Sequence, residues 1–104
     1  MLICRTTGTV VSTVKHERLH GRKLLLVRRS TPDGKPVGEP FVAVDTVGAG
    51  EGELVIVAEG SAARELDGTR SAPVDATIIG IIDSTAVGGK PSFAKSKEAG
   101  ACAR

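Results

Sequence analysis

Apolar residues fall into five runs separated by segments of turn formers, and each run reads as a strand. The first, residues 2–14, is rich in Thr and Val and is interrupted only by Gly8, which predicts a strand bent or bulged at the glycine. The second, Lys23-Leu24-Leu25-Leu26-Val27-Arg28-Arg29, is apolar at successive positions, so both of its faces are expected to be covered. The third is Phe41-Val42-Ala43-Val44-Asp45, the fourth Glu53-Leu54-Val55-Ile56-Val57-Ala58, and the fifth spans residues 74–83. Isoleucine pairs flank Gly80 in the fifth, which suggests close backbone approach or a sharp bend there.

Between the runs lie recognisable connections. A charged turn at residues 15–22 follows the first strand, and Pro32-Asp33-Gly34 heads a loop rich in Pro and Gly that reads as a hairpin connection. The only helix predicted is one or two turns over residues 60–66, with Ser61 as N-cap and Ala62, Ala63 and Arg64 behind it. Beyond Asp83 the chain turns to Gly, Lys, Ser and Ala. Residues 1–83 are therefore expected to form the domain and residues 84–104 an extended or flexible tail.

Five strands with one short helix between the fourth and fifth predict an all-β fold, a five-stranded barrel of the OB type. Composition agrees. Aromatics are 2% of the 104 residues, so the core must come from Val, Ile, Leu and Ala, which pack well on a pleated surface. A single small barrel can cover only one face of strands that look apolar on both, so the outer face is expected to meet other copies.

Charge and cysteines narrow the chemistry. A net charge of +2 is too mild to imply a nucleic-acid or anionic-membrane partner, and no apolar run approaches the roughly 20 residues of a membrane span. The start of the chain lacks the charged-then-apolar order of a signal peptide, so a cytosolic location is expected. Cys4 and Cys102 lie near opposite ends without CxxC spacing, which disfavours a zinc site or a disulfide framework.

Four further features invite a chemical reading. Gly48-Ala49-Gly50-Glu51-Gly52 resembles a phosphate cradle, but it precedes a strand rather than a helix and lacks the Gly-Lys-Ser/Thr element; a tight inter-strand turn is preferred. His16 and His20 are four apart, yet Lys15, Arg18 and Arg22 surround them and no third ligand is evident, so a solvated basic loop is expected. Asp45, Asp75 and Asp83 sit at strand ends, where aspartates ordinarily satisfy loop donors, and no nucleophile accompanies them. Ser61 lacks the second glycine of a nucleophile elbow. No cofactor, metal or catalytic residue is therefore assigned. The rival function for an OB barrel is single-stranded nucleic-acid binding through Lys15, Arg18, Arg22, Lys23, Arg28 and Arg29. With only Phe41 and Phe93 as aromatics, the base-stacking platform of that function is missing.

Taken in order, these segments resemble the vertex proteins of carboxysomes and ethanolamine-utilisation compartments, the pentameric shell proteins of bacterial microcompartments. The likeness rests on Gly8-Thr9-Val10-Val11 with Thr13 and Lys15, on Gly21 with Lys23-Leu24-Leu25-Leu26-Val27, and on Val44-Asp45-Thr46-Val47-Gly48-Ala49-Gly50 with Gly52-Glu53. It continues through Gly60-Ser61-Ala62-Ala63-Arg64, Pro73-Val74-Asp75-Ala76 and Ile79-Gly80-Ile81-Ile82-Asp83. Ala62 departs from it, standing where the family more often carries a second serine. The resemblance implies an OB-like barrel assembled as a homopentamer, hexameric shell proteins as its neighbours, a place in a shell within the cytoplasm, and a structural rather than enzymatic role. Within that reading, Gly48, Ala49, Gly50, Glu51 and Gly52, with Ser61, Ala62 and Arg64, are expected at subunit contacts or around a central opening.

Overall fold

A computed structural model describes residues 1–12, 21–60, 63 and 75–96. The strands are β1 (Leu2–Val10), β2 (Lys23–Arg29), β3 (Phe41–Asp45), β4 (Leu54–Glu59), β5 (Ala76–Ile81), β6 (Ser84–Val87) and β7 (Lys90–Ala94). The first five close into a barrel in the order β1-β2-β3-β5-β4, and the last two form a separate two-stranded sheet. All pairs in the barrel are antiparallel except β3 with β5, which is parallel and spans only Val44 opposite Thr77 and Asp45 opposite Ile78. Closure removes the open edges that a flat five-stranded sheet would expose.

Small β-branched and aliphatic side chains fill the interior, as the scarcity of aromatics requires. Cys4 from β1, Leu25 and Val27 from β2, Ala43 from β3, Val55 and Val57 from β4 and Ala76 and Ile78 from β5 form one buried cluster. Leu2, Phe41 and Ile81 pack against its margin. Two irregularities give the curvature that so small a barrel needs. The register of β1 on β2 slips between Thr6 and Gly8, placing a bulge beside the glycine, and that of β4 on β5 slips between Ile56 and Val57, opposite the Ile79-Gly80 step. Gly80 lies directly over Ile56, where an added Cβ would stand 3.5 Å from its Cδ1.

Two expectations need correction. Strand β2 is not covered on both faces within one chain: Leu25 and Val27 are buried, whereas Leu24 and Leu26 on the opposite face are only half-buried. Strand β4 is covered on both, with Leu54, Val55, Val57 and Ala58 all buried, and so is the first half of β5 at Ala76, Thr77 and Ile78. The segment after Asp83, expected as an extended or flexible tail, is extended but paired. Gly88 and Gly89 have φ of 60° and 80°, and two successive residues of positive φ make the turn that matches strand twist in a two-residue hairpin. The predicted helix over residues 60–66 lies outside the described residues except for Gly60 and Ala63, and Ala63 is buried beside Val44. Residues 15–20 of the basic turn, His16 and His20 among them, also lie outside the described residues, as does Cys102.

Candidate functional site: the glycine loop, the docked hairpin and the outer face

The glycine loop is a plug held by its own hydrogen bonds. Ala49 is fully buried and joins the core cluster, so the loop folds inward and stops one end of the barrel with a methyl group. Thr6 anchors it from β1: its hydroxyl donates to the carbonyl of Gly50 at 2.6 Å and accepts the Glu53 amide at 2.9 Å. The Gly50 amide donates to Glu53 Oε1 at 2.5 Å. Lys23 Nζ reaches the carbonyl of Ala49 at 2.5 Å and lies 3.7 Å from Asp45 Oδ2. Asp45 in turn accepts the Val47 amide at 3.1 Å, which is the loop-satisfying role expected of a strand-end aspartate.

Exposed anion-binding amides would be needed for a phosphate cradle, but the Gly50 amide is spent on Glu53 and the Gly52 amide on the carbonyl of Thr6 at 3.0 Å. Gly48, Glu51 and Gly52 remain at the surface, and Gly50 is half-buried. Ser61, Ala62 and Arg64 lie outside the described residues, so the structure gives no position for them relative to the loop.

Sequence reasoning overlooked a second fixture, centred on Arg5. Its Nε and Nη2 both donate to the carbonyl of Gly34, at 3.0 and 2.6 Å, and its Nη1 donates to the carbonyl of Gly52 at 2.9 Å. The guanidinium also lies over the ring of Phe93, 5.5 Å from its centroid. One side chain thus ties the 31–38 loop, the glycine loop and the hairpin to β1. Lys95 pairs with Glu53 at 2.7 Å, the Lys95 amide donates to the carbonyl of Asp83 at 2.7 Å, and the Thr85 hydroxyl donates to the carbonyl of Pro32 at 2.6 Å. The base of the hairpin is therefore docked. Its distal part is not: Ala86, Val87, Gly88, Gly89, Lys90 and Pro91 are all exposed.

The outer face carries the remaining apolar surface. Register places Leu26 between Gly8 on β1 and Val42 on β3, and Leu24 between Val10 and Val44. Val42 is 45% exposed, Leu24, Leu26 and Val10 are half-buried, and Gly8 contributes no side chain above Leu26. The result is an apolar patch across three strands. Ala63 packs over the Leu24 and Val44 end of this face, and contiguous apolar surface left exposed, as at Val42, can mark an interaction surface.

Acid–base and metal chemistry have no comparable foothold among the described residues. No three His, Cys, Asp or Glu converge there as metal ligands. Cys4 is buried in the barrel, and that burial first, with the negative charge of Glu59 second, pushes its thiol up to about 11 against a smaller opposing effect of Arg29. A thiol so held is a poor nucleophile. Phe93, on β7 of the hairpin, is buried with Arg5 over its ring and Phe41 packs against the core, so neither presents a face for stacking bases.

A closed five-stranded barrel with a docked hairpin and an apolar outer face defines an OB-like barrel protein. The chain belongs to the family described as ethanolamine utilisation protein EutN/carboxysome, whose model matches residues 1–83. It is 55% identical over 65 residues to the bacterial microcompartment shell vertex protein GrpN of Rhodospirillum rubrum, a match covering 62% of this chain and 73% of that protein. Among solved structures it is similar to CcmL of Gloeobacter violaceus, with a TM-score of 0.86 and 44% identity over 92% of this chain and 99% of the other. It is likewise similar to the pentameric microcompartment shell protein GrpN from Rhodospirillum rubrum, with a TM-score of 0.76 and 47% identity over 84% of this chain and 99% of the other.

Proposed function

We propose that this chain is a structural subunit that assembles into a homopentamer and caps the vertices of a bacterial microcompartment shell in the cytoplasm. Its similarity to the pentameric GrpN structure, at 47% identity over 84% of this chain, carries the reading. The half-open apolar face around Leu26 and Val42 supports it, because a ring of identical subunits needs a surface to bury between them. The role is geometric and not enzymatic. A flat net of six-fold tiles cannot close on itself, and five-fold units at the corners introduce the curvature that closes it. Hexameric shell proteins are accordingly the neighbours of the assembled ring.

The glycine loop and residues 61–64 belong, in this reading, to subunit contacts or to the central opening. Glu51 is exposed on a loop whose backbone is fixed by Thr6, Lys23 and Glu53, so its charge is presented from a rigid support. Native mass spectrometry tests the whole reading. A species of five chains is expected, and a monomer at shell-forming concentrations would overturn it. Loss or weakening of the ring in Glu51→Arg or Arg64→Ala would support the assignment of the loop and the 61–64 segment, and unchanged rings in both would remove it.

A further inference from the structure

We infer that Asp33-Gly34 is a latent modification site, a step at which aspartate isomerises to isoaspartate, and that the folded subunit suppresses this reaction by clamping the turn between Thr31 and Arg5. The reaction lies within a single chain and is independent of the ring proposed above.

The chemistry starts in the sequence. The chain has no asparagine, and aspartate stands directly before glycine at residues 33–34 and 67–68. Glycine carries no side chain to shield its amide nitrogen, so in a flexible chain that nitrogen reaches the carboxyl of the preceding aspartate. An N–C bond then forms between the Gly34 nitrogen and the Asp33 carboxyl carbon, while the amide hydrogen and the carboxyl hydroxyl leave as water. The succinimide so formed takes up one water. Opening at the former main-chain carbonyl leaves Gly34 attached through the side-chain carboxyl, which is isoaspartate, with no net change of atoms or oxidation state.

In the folded chain both reacting groups are engaged elsewhere. Asp33 is exposed, but the Gly34 amide is buried and donates to the carbonyl of Thr31 at 2.9 Å, so the attacking nitrogen is not free. The Asp33 carboxylate accepts the Thr31 hydroxyl, and that hydroxyl oxygen accepts the Lys35 amide at 3.1 Å. The bond from Thr31 is the main cause that holds the Asp33 carboxyl below its ordinary range, and an ionised carboxylate lacks the hydroxyl that has to leave. From the other side, Arg5 fixes the Gly34 carbonyl with Nε and Nη2 at 3.0 and 2.6 Å. Isomerisation therefore waits for local opening of the turn, and its rate is scaled down by the fraction of time spent open.

The product does not fit the clamp. Isoaspartate adds one carbon to the main chain directly before Gly34, a residue whose φ of +93° and close neighbours, Arg5 Nη2 and Phe93 Cδ1, leave it no room to shift. The preceding carbonyl, that of Pro32, accepts the Thr85 hydroxyl of the hairpin at 2.6 Å. A chain converted while open consequently closes with a weaker hairpin base.

Peptide mapping tests this. The full chain is aged for days at neutral pH, once native and once in concentrated urea, and digested with a protease that cuts before aspartate but not before isoaspartate. In urea, Asp33 and Asp67 share the same following residue and are expected to convert at similar rates. In the native protein Asp33 should convert about tenfold or more slowly than in urea. Thr31→Val, which keeps the shape and removes the hydroxyl, should raise the native rate several-fold, as should Arg5→Lys, which loses the two-nitrogen grip. Native wild type converting at the urea rate overturns the inference, and so does an unchanged rate in Thr31→Val that is folded by circular dichroism. Should Arg5→Lys fail to fold, Thr31→Val alone decides. Chain aged in urea and refolded should show lower hydrogen-exchange protection at the Lys95 amide than fresh chain treated alike, and equal protection would show that the product does fit. A protein that forms no ring would defeat the proposed function and leave each of these readouts in force.

Discussion

Arg5 grips the carbonyl oxygen of Gly34 with two of its nitrogens, at 3.0 and 2.6 Å, from a strand 29 residues earlier in the chain. Gly34 is buried, its φ is +93°, and an added Cβ would collide with Arg5 Nη2 and press on Phe93 Cδ1 at 3.1 Å. Both the backbone conformation and the space exclude a side chain. Gly34→Ala should therefore cost roughly 1–3 kcal/mol. Urea denaturation at matched protein concentration would measure it, and a change within error would show that the loop relaxes freely.

The core makes a simpler prediction. Leu25 is fully buried in the cluster that also holds Cys4, Val27, Val55 and Ile78. Leu25→Ala should cost about 2–5 kcal/mol. Leu26→Ala, one residue along on the outer face, should cost clearly less in a dissociated chain. The same denaturation experiment compares the two.

Cys4 should be silent to thiol reagents while the barrel is closed. In a Cys102→Ser background, a chromogenic disulfide reagent at mildly alkaline pH is expected to label no thiol in the native protein and one per chain in denaturant. Because the folded thiol titrates near 11 rather than at 9.0, its ionisation is linked to unfolding. The sign follows: the folded state resists losing the proton, so stability is intact below about pH 9 and falls progressively as pH rises towards about 11. Cys4→Ala should flatten that part of the pH profile.

The hairpin base should loosen at both extremes of pH. The bond from Lys95, followed by the Gly50 amide, holds the Glu53 carboxyl below its ordinary 4.5, so this contribution is present above that value and is lost as pH falls. Glu53 raises Lys95 above its ordinary 10.5, so that contribution is present below 10.5 and is lost as pH rises beyond it. Hydrogen exchange at the Lys95 amide, bonded to the carbonyl of Asp83, reports the change. Protection should drop in acid for the wild type, and Glu53→Gln should show the lower protection already at neutral pH, with the Val55 amide unaffected.

Much of the barrel was legible because each strand is a dense local signal. Strands β2 and β3 fall where their apolar runs place them, and Gly8 and Gly80 both sit at register slips. The hairpin was harder. Its strands hold little apolar material beyond Phe93, and Pro91 argues against a strand, although the Gly88-Gly89 pair was a readable turn signal. Arg5 could not have been singled out at all. Its partners are two backbone carbonyls and a ring, at Gly34, Gly52 and Phe93, and only the fold brings those distant positions together. Burial of Ala49 was hidden for the same reason, since a glycine-rich sequence does not reveal which residue points inward.

The strand order also dictates when a subunit can exist. β1 pairs with β4, and β4 with β5, so the first strand made has one neighbour left unpaired until Leu54–Glu59 emerges, and the barrel cannot seal until Ala76–Ile81 follows. At ribosomal speeds of about 5–20 residues per second, the apolar interior stays unsealed from the first strand until the fifth has emerged. The β6–β7 hairpin is made after that, so its docking on Glu53 through Lys95 follows barrel closure and does not guide it.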